Sequence, residues 1–194
     1  MSFNPTFRRG AHLLFGRALA RCIVLLAAFH AAGARCEVFH TIDEALAIQF
    51  PGAEMKRESV VLSEEQLTLA SRLAGQKMKG KIFRPYRAWR SGELVGTAYF
   101  DVHRVRTLKE TLMVVIDSKD RVAAIRLLAF LEPGEYIPRD RWYHQFIGRN
   151  LDREMQLHRG IDGITGATLT ARATSDAVRR ILAAHLVLTG AESP

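Results

Sequence analysis

Cysteine is scarce in this sequence, and its scarcity excludes several kinds of chemistry. The 194 residues contain two cysteines, Cys22 and Cys36, and the seven histidines are scattered without the spacing of a metal site. No Cys-x-x-Cys-His pattern is present. If the N-terminal segment is removed, Cys36 alone remains and an intramolecular disulfide is impossible. We therefore predict no haem, no metal ion and no disulfide.

Other catalytic patterns are also missing. The chain has no Gly-x-Ser-x-Gly elbow, and no nucleophile, base and acid stand out that would indicate hydrolysis. It has no Gly-x-Gly-x-x-Gly fingerprint for a bound dinucleotide, which makes a reductase with its own NAD(P)H site less favoured. Internal repeats and low-complexity segments are absent as well. At this length, one domain of ordinary size fits the chain.

The charge is basic but evenly spread. The formal net charge is +8, and the four arginines of residues 1–34 supply half of it, so +4 remains for the rest. Basic and acidic residues alternate instead of forming a basic stripe, which disfavours nucleic acid as a partner.

The N-terminus has the pattern of an export signal. Four arginines come before or at the start of the apolar run 22–32: Arg8, Arg9, Arg17 and Arg21. Ala32-Gly33-Ala34 matches an A-x-A cleavage site, so we predict a signal peptide over 1–34 and a periplasmic protein over 35–194. A spanning helix needs about 20 apolar residues. Arginines and His30 interrupt the apolar run of this region, which disfavours a spanning helix. An uncleaved anchor in the inner membrane is therefore the less favoured alternative. Arg35 precedes Cys36 where a lipobox needs a small residue, so lipidation is not expected.

Local patterns predict two short helices and two hairpins. Thr41 with Glu44, and Ser63 with Gln66, are capping boxes, and Gly75 is a stop signal for the second helix. Strand-forming residues between Lys81 and Val102 are broken at Ser91-Gly92. The clearest hairpin joins residues 111–116 to 121–130 through the turn 117–120.

A further helix is predicted from Asp140, its expected cap, to Gly148. Trp142 and Phe146 are spaced i, i+4 on one face, either as core or as an aromatic wall for a ligand ring. His185 is expected in the core or at its boundary. The predicted fold class is α+β, a twisted, mostly antiparallel sheet with flanking helices.

The most informative segment is Asp162-Gly163-Ile164-Thr165-Gly166-Ala167-Thr168-Leu169-Thr170. Apolar spacing predicts a helix over 171–188 after it, and four of its residues are N-cap candidates: Asp162, Thr165, Thr168 and Thr170. A glycine-containing loop that leads into a helix N-terminus offers free backbone N–H groups and suits a phosphate. An ordinary loop with a helix cap is the alternative interpretation.

This segment resembles the signature Asp-x-x-Ser/Thr-Gly-Ala-Ser/Thr of the FMN-binding domain. That domain occurs in periplasmic subunits of Na+-translocating NADH:quinone reductase and related complexes, and in stand-alone envelope flavoproteins. All five defined positions are filled here: Asp162, Thr165, Gly166, Ala167 and Thr168. Residues 132–134 resemble a shortened Glu-Thr-Pro-Gly turn of the family, and residues 141–148 resemble its aromatic helix and glycine.

The resemblance implies a covalent flavin. In the family, the last hydroxyl of the motif carries FMN through a phosphoester, which a separate Mg-dependent flavin transferase installs from FAD. Transferred to this sequence, the acceptor is Thr168. The predicted cofactor-binding residues around it are Asp162, Thr165, Gly166, Ala167, Thr170, Glu132 and Trp142. Weaker expectations are that Arg153 or Arg159 neutralises the phosphate and that His158 lies near it.

The function implied by the resemblance is electron transfer in the cell envelope. A membrane or envelope carrier, such as a cytochrome or a quinone-linked complex, is the expected redox partner. The alternatives are an exported binding or assembly module without redox turnover, a subunit of an ion-pumping membrane complex, and a flavin-dependent enzyme. An electron-transfer flavoprotein is favoured over a stand-alone enzyme, while donor, acceptor and substrate are not encoded in any pattern found.

Overall fold

The structure is a computed structural model that describes residues 37–190. The predicted signal peptide and both cysteines lie outside these residues. Eight strands are present within them: β1 Glu37–Val38, β2 Glu54–Arg57, β3 Val60–Val61, β4 Ile82–Phe83, β5 Tyr86–Arg90, β6 Glu93–Arg104, β7 Lys109–Ile116 and β8 Val122–Phe130. Four α-helices accompany them: α1 Ile42–Gln49, α2 Glu64–Ala74, α3 Asp140–Tyr143 and α4 Thr168–Thr189.

Six strands form one antiparallel sheet in the order β1-β8-β7-β6-β5-β2, and β3 pairs with β4 in a separate ribbon. Both predicted hairpins are confirmed. The β7–β8 hairpin turns through residues 117–121, where Asp117 Oδ1 accepts hydrogen bonds from the backbone N–H groups of Lys119 and Arg121. In the β5–β6 turn, Ser91 and Gly92 both have positive φ, at 53° and 83°, as a tight two-residue hairpin turn requires.

The sheet is covered on both faces because its central strands are apolar on both sides. Along β7, Val114 and Ile116 pack with α2 and α4 in one core cluster. Their neighbours Met113 and Val115 face the opposite way and pack with α1 in a second cluster. The predicted α+β class, a mostly antiparallel sheet with flanking helices, is confirmed.

Helices α1 and α2 begin where the sequence predicts. Both capping boxes are complete: Thr41 and Ser63 accept hydrogen bonds from the third residue of the helix, and the side chains of Glu44 and Gln66 accept one from the cap residue. Gly75 ends α2 in the left-handed conformation, at φ 68°. No helix among residues 37–190 is long and apolar enough to cross a membrane.

The prediction for residues 140–148 needs a correction. Asp140 is the first residue of α3 and not its cap, because the cap position is occupied by Arg139 without a side-chain hydrogen bond. The chain continues from α3 into a 3₁₀ helix, His144–Phe146. Trp142 and Phe146 nevertheless share a face and are both buried, with ring centroids 5.4 Å apart.

Candidate functional site

The loop before α4 makes a tight turn at the end of the predicted motif. The Ala167 N–H donates to the Ile164 carbonyl oxygen at 3.0 Å, and Gly166, the third residue of this turn, has φ 82°. A type II turn requires a positive φ at that position, which glycine adopts without steric cost. The turn therefore ends at Ala167, directly before the first residue of α4.

Helix α4 begins without a cap. Its N-cap residue is Ala167, which makes no side-chain hydrogen bond, and its first turn contains no acidic residue. This corrects the sequence prediction, since none of the four candidate N-caps occupies the cap position. The backbone N–H groups of Thr168, Leu169 and Thr170 have no acceptor among the described residues. These free N–H groups and the positive end of the helix dipole favour an anion at this end of α4.

The threonines of the motif differ in exposure. Thr168, the first residue of α4, is exposed, and its hydroxyl lies 3.5 Å from the Ile164 carbonyl oxygen, at the limit of a hydrogen bond. Thr165 in the turn is exposed as well. Thr170 is only 1% exposed. The hydroxyl of Thr168 is therefore both accessible and nearly free, whereas that of Thr170 is shielded.

The start of the motif is held by α3 and the 3₁₀ helix that follows it. The Trp142 indole Nε1–H donates to the Asp162 carbonyl oxygen at 2.8 Å, and the Asp162 N–H donates to Gln145 Oε1 at 2.7 Å. Trp142 is 7% exposed and packs edge-on against Tyr143 and Phe146. Its ring thus belongs to the core and fixes the loop through its nitrogen, while a contact with a flavin stays a prediction.

The segment before the motif is folded onto itself. Arg149 donates to the Gly160 carbonyl oxygen at 3.0 Å and pairs with Asp152 at 2.9 Å. His158 is exposed, has φ 64°, and its imidazole lies over Gly163: a Cβ added at Gly163 would lie 3.0 Å from the His158 Cε1 atom. His158 therefore borders the motif. Arg153 and Arg159 are exposed, and their contact with a phosphate stays a prediction.

Glu132 is buried, at 4% exposure, and holds the β6–β7 turn. Its Oε1 atom accepts hydrogen bonds from three consecutive backbone N–H groups, those of Arg106, Thr107 and Leu108, at 2.6–3.1 Å. These donors, that of Leu108 first, hold the pKa of Glu132 below its usual value. Glu132 therefore stabilises the β6–β7 turn. A contact between Glu132 and the flavin stays a prediction.

A buried polar network lies under the first turns of α4. Thr174 donates to Glu110 at 3.1 Å, and the His103 ring bridges Glu110 and Asp101 at 2.9 and 2.8 Å. Burial lowers the pKa of His103, but the hydrogen bonds to the two carboxylates outweigh it and raise that pKa above its ordinary value. Because Thr174 is six residues after Thr168, the network fixes the helix about 9 Å from the candidate site.

Arginine and histidine side chains anchor the rest of α4. Arg179 is 4% exposed and donates to the α2 carbonyl oxygen of Ala74 at 3.0 Å and to those of Asp152 and Met155 at 2.7 and 3.2 Å. His185 lies in the core, as predicted, between the Tyr99 hydroxyl and Asp120, each at 2.9 Å. Helix α4 is thus held along its length while its N-terminus stays open.

These features define a class of site, a fixed helix N-terminus with free N–H groups and an accessible hydroxyl that suits a phosphate-bearing ligand. Residues 109–183 match the family model of the FMN-binding domain. The match agrees with the resemblance found in the sequence and indicates a flavin-binding protein. The matched segment runs from β7 through the motif loop to most of α4. No curated protein matches the chain.

Sequence reasoning missed several of the residues that build the site. Gln145 lies in the aromatic segment that resembles the family. No local pattern in the sequence predicts that its side chain accepts a hydrogen bond from the Asp162 N–H. The network of Glu110, His103 and Thr174 joins residues far apart in the chain, so no spacing rule finds it. Arg179 and Arg180, on the apolar-looking stretch of α4, were a local hint of buried charge.

Proposed function

We propose that this protein is an exported flavoprotein that carries FMN through a phosphoester on Thr168 Oγ1 and transfers electrons in the bacterial cell envelope. One observation carries the proposal: an exposed threonine is the first residue of an uncapped helix inside a matched FMN-binding domain. FMN, when bound, supplies one- and two-electron transfer.

The residues present fit the phosphate of FMN. Attached at Thr168, the phosphate would lie beside the three free N–H groups of the first helical turn. A phosphodiester keeps one negative charge, and the helix N-terminus carries the equivalent of about half a positive charge. A capping side chain such as Asp at position 167 would compete for the same N–H groups, and Ala167 leaves them free.

Attachment is a simple displacement at phosphorus. The Thr168 oxygen forms a new bond to the FMN phosphorus of FAD, the pyrophosphate P–O bond breaks, AMP leaves, and the hydroxyl proton is lost. The resemblance implies that a Mg-dependent flavin transferase catalyses this step, so this transferase is the proposed maturation partner. Asp162, Gly163, Thr165 and Gly166 are exposed, which supports access of that enzyme to the loop.

Export and electron transfer rest on other features. The basic and apolar N-terminal pattern with its A-x-A site supports export to the periplasm, with an uncleaved anchor as the alternative. A covalent bond keeps the cofactor from being lost by dissociation in that compartment. The site lies on the surface of the domain, which suits electron exchange with a membrane or envelope redox partner such as a cytochrome or quinone-linked complex.

The test is co-production of the exported protein with a flavin transferase, followed by intact mass and in-gel flavin fluorescence after denaturation. The wild type should gain the mass of FMN less one water, and Thr168→Val should gain nothing because it keeps the β-branched shape without the hydroxyl. Thr170→Val is the matched control, because it removes the buried hydroxyl two residues further on and should matter less for attachment. Retained fluorescence in Thr168→Val would make the acceptor assignment wrong.

A further inference from the structure

A cavity beside Arg180 and Ile181 of α4 has no residue of the motif loop in its lining. It has a volume of about 330 Å³, at the small end of ligand pockets. Four cationic residues line it, together with one carboxylate: Arg57, Lys79, Arg84, Arg180 and Asp101. Arg180 comes twelve residues after Thr168, so the cavity begins about 18 Å along the helix from the flavin site. We call it the cationic cavity.

The deepest cation of the cavity is fixed in place. Arg180 is 4% exposed, and its guanidinium donates to Gln76 Oε1 at 3.1 Å and to Asp101 Oδ2 at 3.3 Å. Gln76 is itself held, because its amide donates to the Asp176 carbonyl oxygen at 2.8 Å. A buried guanidinium with a fixed direction is a preorganised donor for carboxylates and phosphates.

The cationic cavity has one carboxylate in its lining, and that carboxylate has other partners. Asp101 Oδ2 also bonds to His103, whose second nitrogen bonds to Glu110. Asp101 is therefore shared between Arg180 and His103, and it is the one carboxylate among the residues that line the cavity, beside four cations.

The three remaining cations have no carboxylate within 4.0 Å among residues 37–190: Arg57, Lys79 and Arg84. Burial, and after it the positive charge of Arg180, lower the pKa of Lys79. Lys79 and Arg180 thus repel each other at this cavity. An anion placed between them would relieve this repulsion and bond to both.

The other wall of the cavity is aromatic. Tyr86 and Phe100 pack edge to face, with ring centroids 5.3 Å apart, and Arg57 lies over the Tyr86 ring at 5.5 Å. Phe83 of β4 is half-buried at the same cavity. Aromatic edges and faces favour a flat ring system, while the cations favour a negative group on it.

We propose that the cationic cavity is a binding site for a small molecule that carries a carboxylate or phosphate on a flat aromatic body. The anion binds between Lys79, Arg84 and the buried Arg180, and the aromatic body packs against Phe83, Tyr86 and Phe100. The site is separate from the flavin site and does not depend on attachment at Thr168.

The test uses 2-naphthoate as the probe, titrated calorimetrically into the full chain. The neutral 2-naphthamide reports the aromatic contribution alone, inorganic phosphate reports the anion alone, and phosphatidylglycerol vesicles test a lipid headgroup as the source of the anion. Lys79→Gln/Arg84→Gln removes two exposed cations of the cavity. Lys77→Gln is the matched control, because Lys77 is exposed nearby and does not line the cavity.

We expect 2-naphthoate to bind with equal affinity to the wild type, to Lys77→Gln and to Thr168→Val. It should bind at least about tenfold more weakly to the double variant Lys79→Gln/Arg84→Gln. The affinity should fall with added salt, and 2-naphthamide and phosphate should each bind more weakly than 2-naphthoate. Three results would overturn it: no binding of 2-naphthoate, equal binding by the double variant, or equal binding of 2-naphthamide. Vesicle binding that depends on Lys79 and Arg84 without 2-naphthoate binding would assign the cavity to a lipid headgroup instead.

Discussion

Replacing Trp142 with Phe tests whether the core holds the motif loop in place. The indole Nε1–H is a direct link from α3 to the motif, at 2.8 Å from the Asp162 carbonyl oxygen. Phe keeps an aromatic ring beside Tyr143 and Phe146 but has no donor. The substitution therefore removes one hydrogen bond and part of a buried ring while leaving the remaining contacts of the loop in place.

The size of the effect follows from these two losses. Asp162 is exposed, so water can reach its carbonyl oxygen, and the lost hydrogen bond costs about 1 kcal/mol. The Phe side chain is roughly 40 Å³ smaller than that of Trp, and a cavity of this size costs about 1 kcal/mol. The free energy of unfolding should fall by about 2 kcal/mol, which lowers Tm by about 4–8 °C for a domain of this length.

Two assays check the prediction. Denaturant unfolding gives the change in stability, and the time course of covalent flavin fluorescence with a limiting amount of transferase gives the effect on the loop, where slower incorporation is expected. Trp89→Phe is the matched control, since Trp89 is half-buried on β5 and outside the motif loop, and it should leave incorporation unchanged. If Trp142→Phe unfolds within about 0.5 kcal/mol of the wild type and incorporates flavin at the same rate, the loop does not depend on this bond.

Three further predictions concern the support of the site. Arg179→Met should lower the free energy of unfolding, measured by urea titration, by about 3 kcal/mol. It leaves buried carbonyl oxygens at the end of α2 and in the loop 152–155 without their charged donor. A loss below about 1 kcal/mol would contradict this explanation. Since the pKa of His103 is raised on folding, its stabilisation is fully present below its unfolded pKa of about 6.5 and is lost as the pH rises through its folded pKa. The stability difference between wild type and His103→Gln, measured by urea unfolding from pH 6 to pH 9, should therefore shrink with rising pH, and a difference that grows would refute this assignment. Gly166→Ala should cost about 1–2 kcal/mol from its φ of 82° alone, since an added Cβ meets nothing within 4 Å, and thermal unfolding without a measurable shift would show that the turn relaxes.

Much of the fold could be predicted because its signals are local. The capping boxes at Thr41 and Ser63 use contacts three residues apart, and the turn at Ser91-Gly92 requires backbone conformations that its own residues favour. Each of these signals depends on contacts within a few residues, so packing against distant segments does not change the local structure that it predicts.

The start of α4 could not be predicted in the same way. The segment before it offers four good capping residues, yet Ala167 occupies the cap position. Bonds from Trp142 and Gln145 hold Asp162 well before the helix, and the turn at Gly166 then decides where the helix begins. Sequence propensity identifies residues able to cap, whereas the tertiary contacts of the loop decide which of them reaches the helix.

The motif itself was the strongest signal for the site, and the structure adds what a motif cannot give. It separates the exposed Thr168 from the buried Thr170, which are two residues apart and chemically identical. It also shows Glu132 accepting hydrogen bonds from the β6–β7 turn, a role that the resemblance did not imply. Both distinctions depend on packing between segments far apart in the sequence.

Peptide mass spectrometry of the wild-type protein, after co-production with a flavin transferase, tests whether FMN is attached to Thr168. Trypsin cleavage after Arg159 and Arg172 releases one peptide that contains Thr165, Thr168 and Thr170. This peptide should carry FMN less one water, and fragmentation should place the added mass on Thr168. An unmodified peptide in the presence of an active transferase, or the added mass on Thr165 or Thr170, would contradict it.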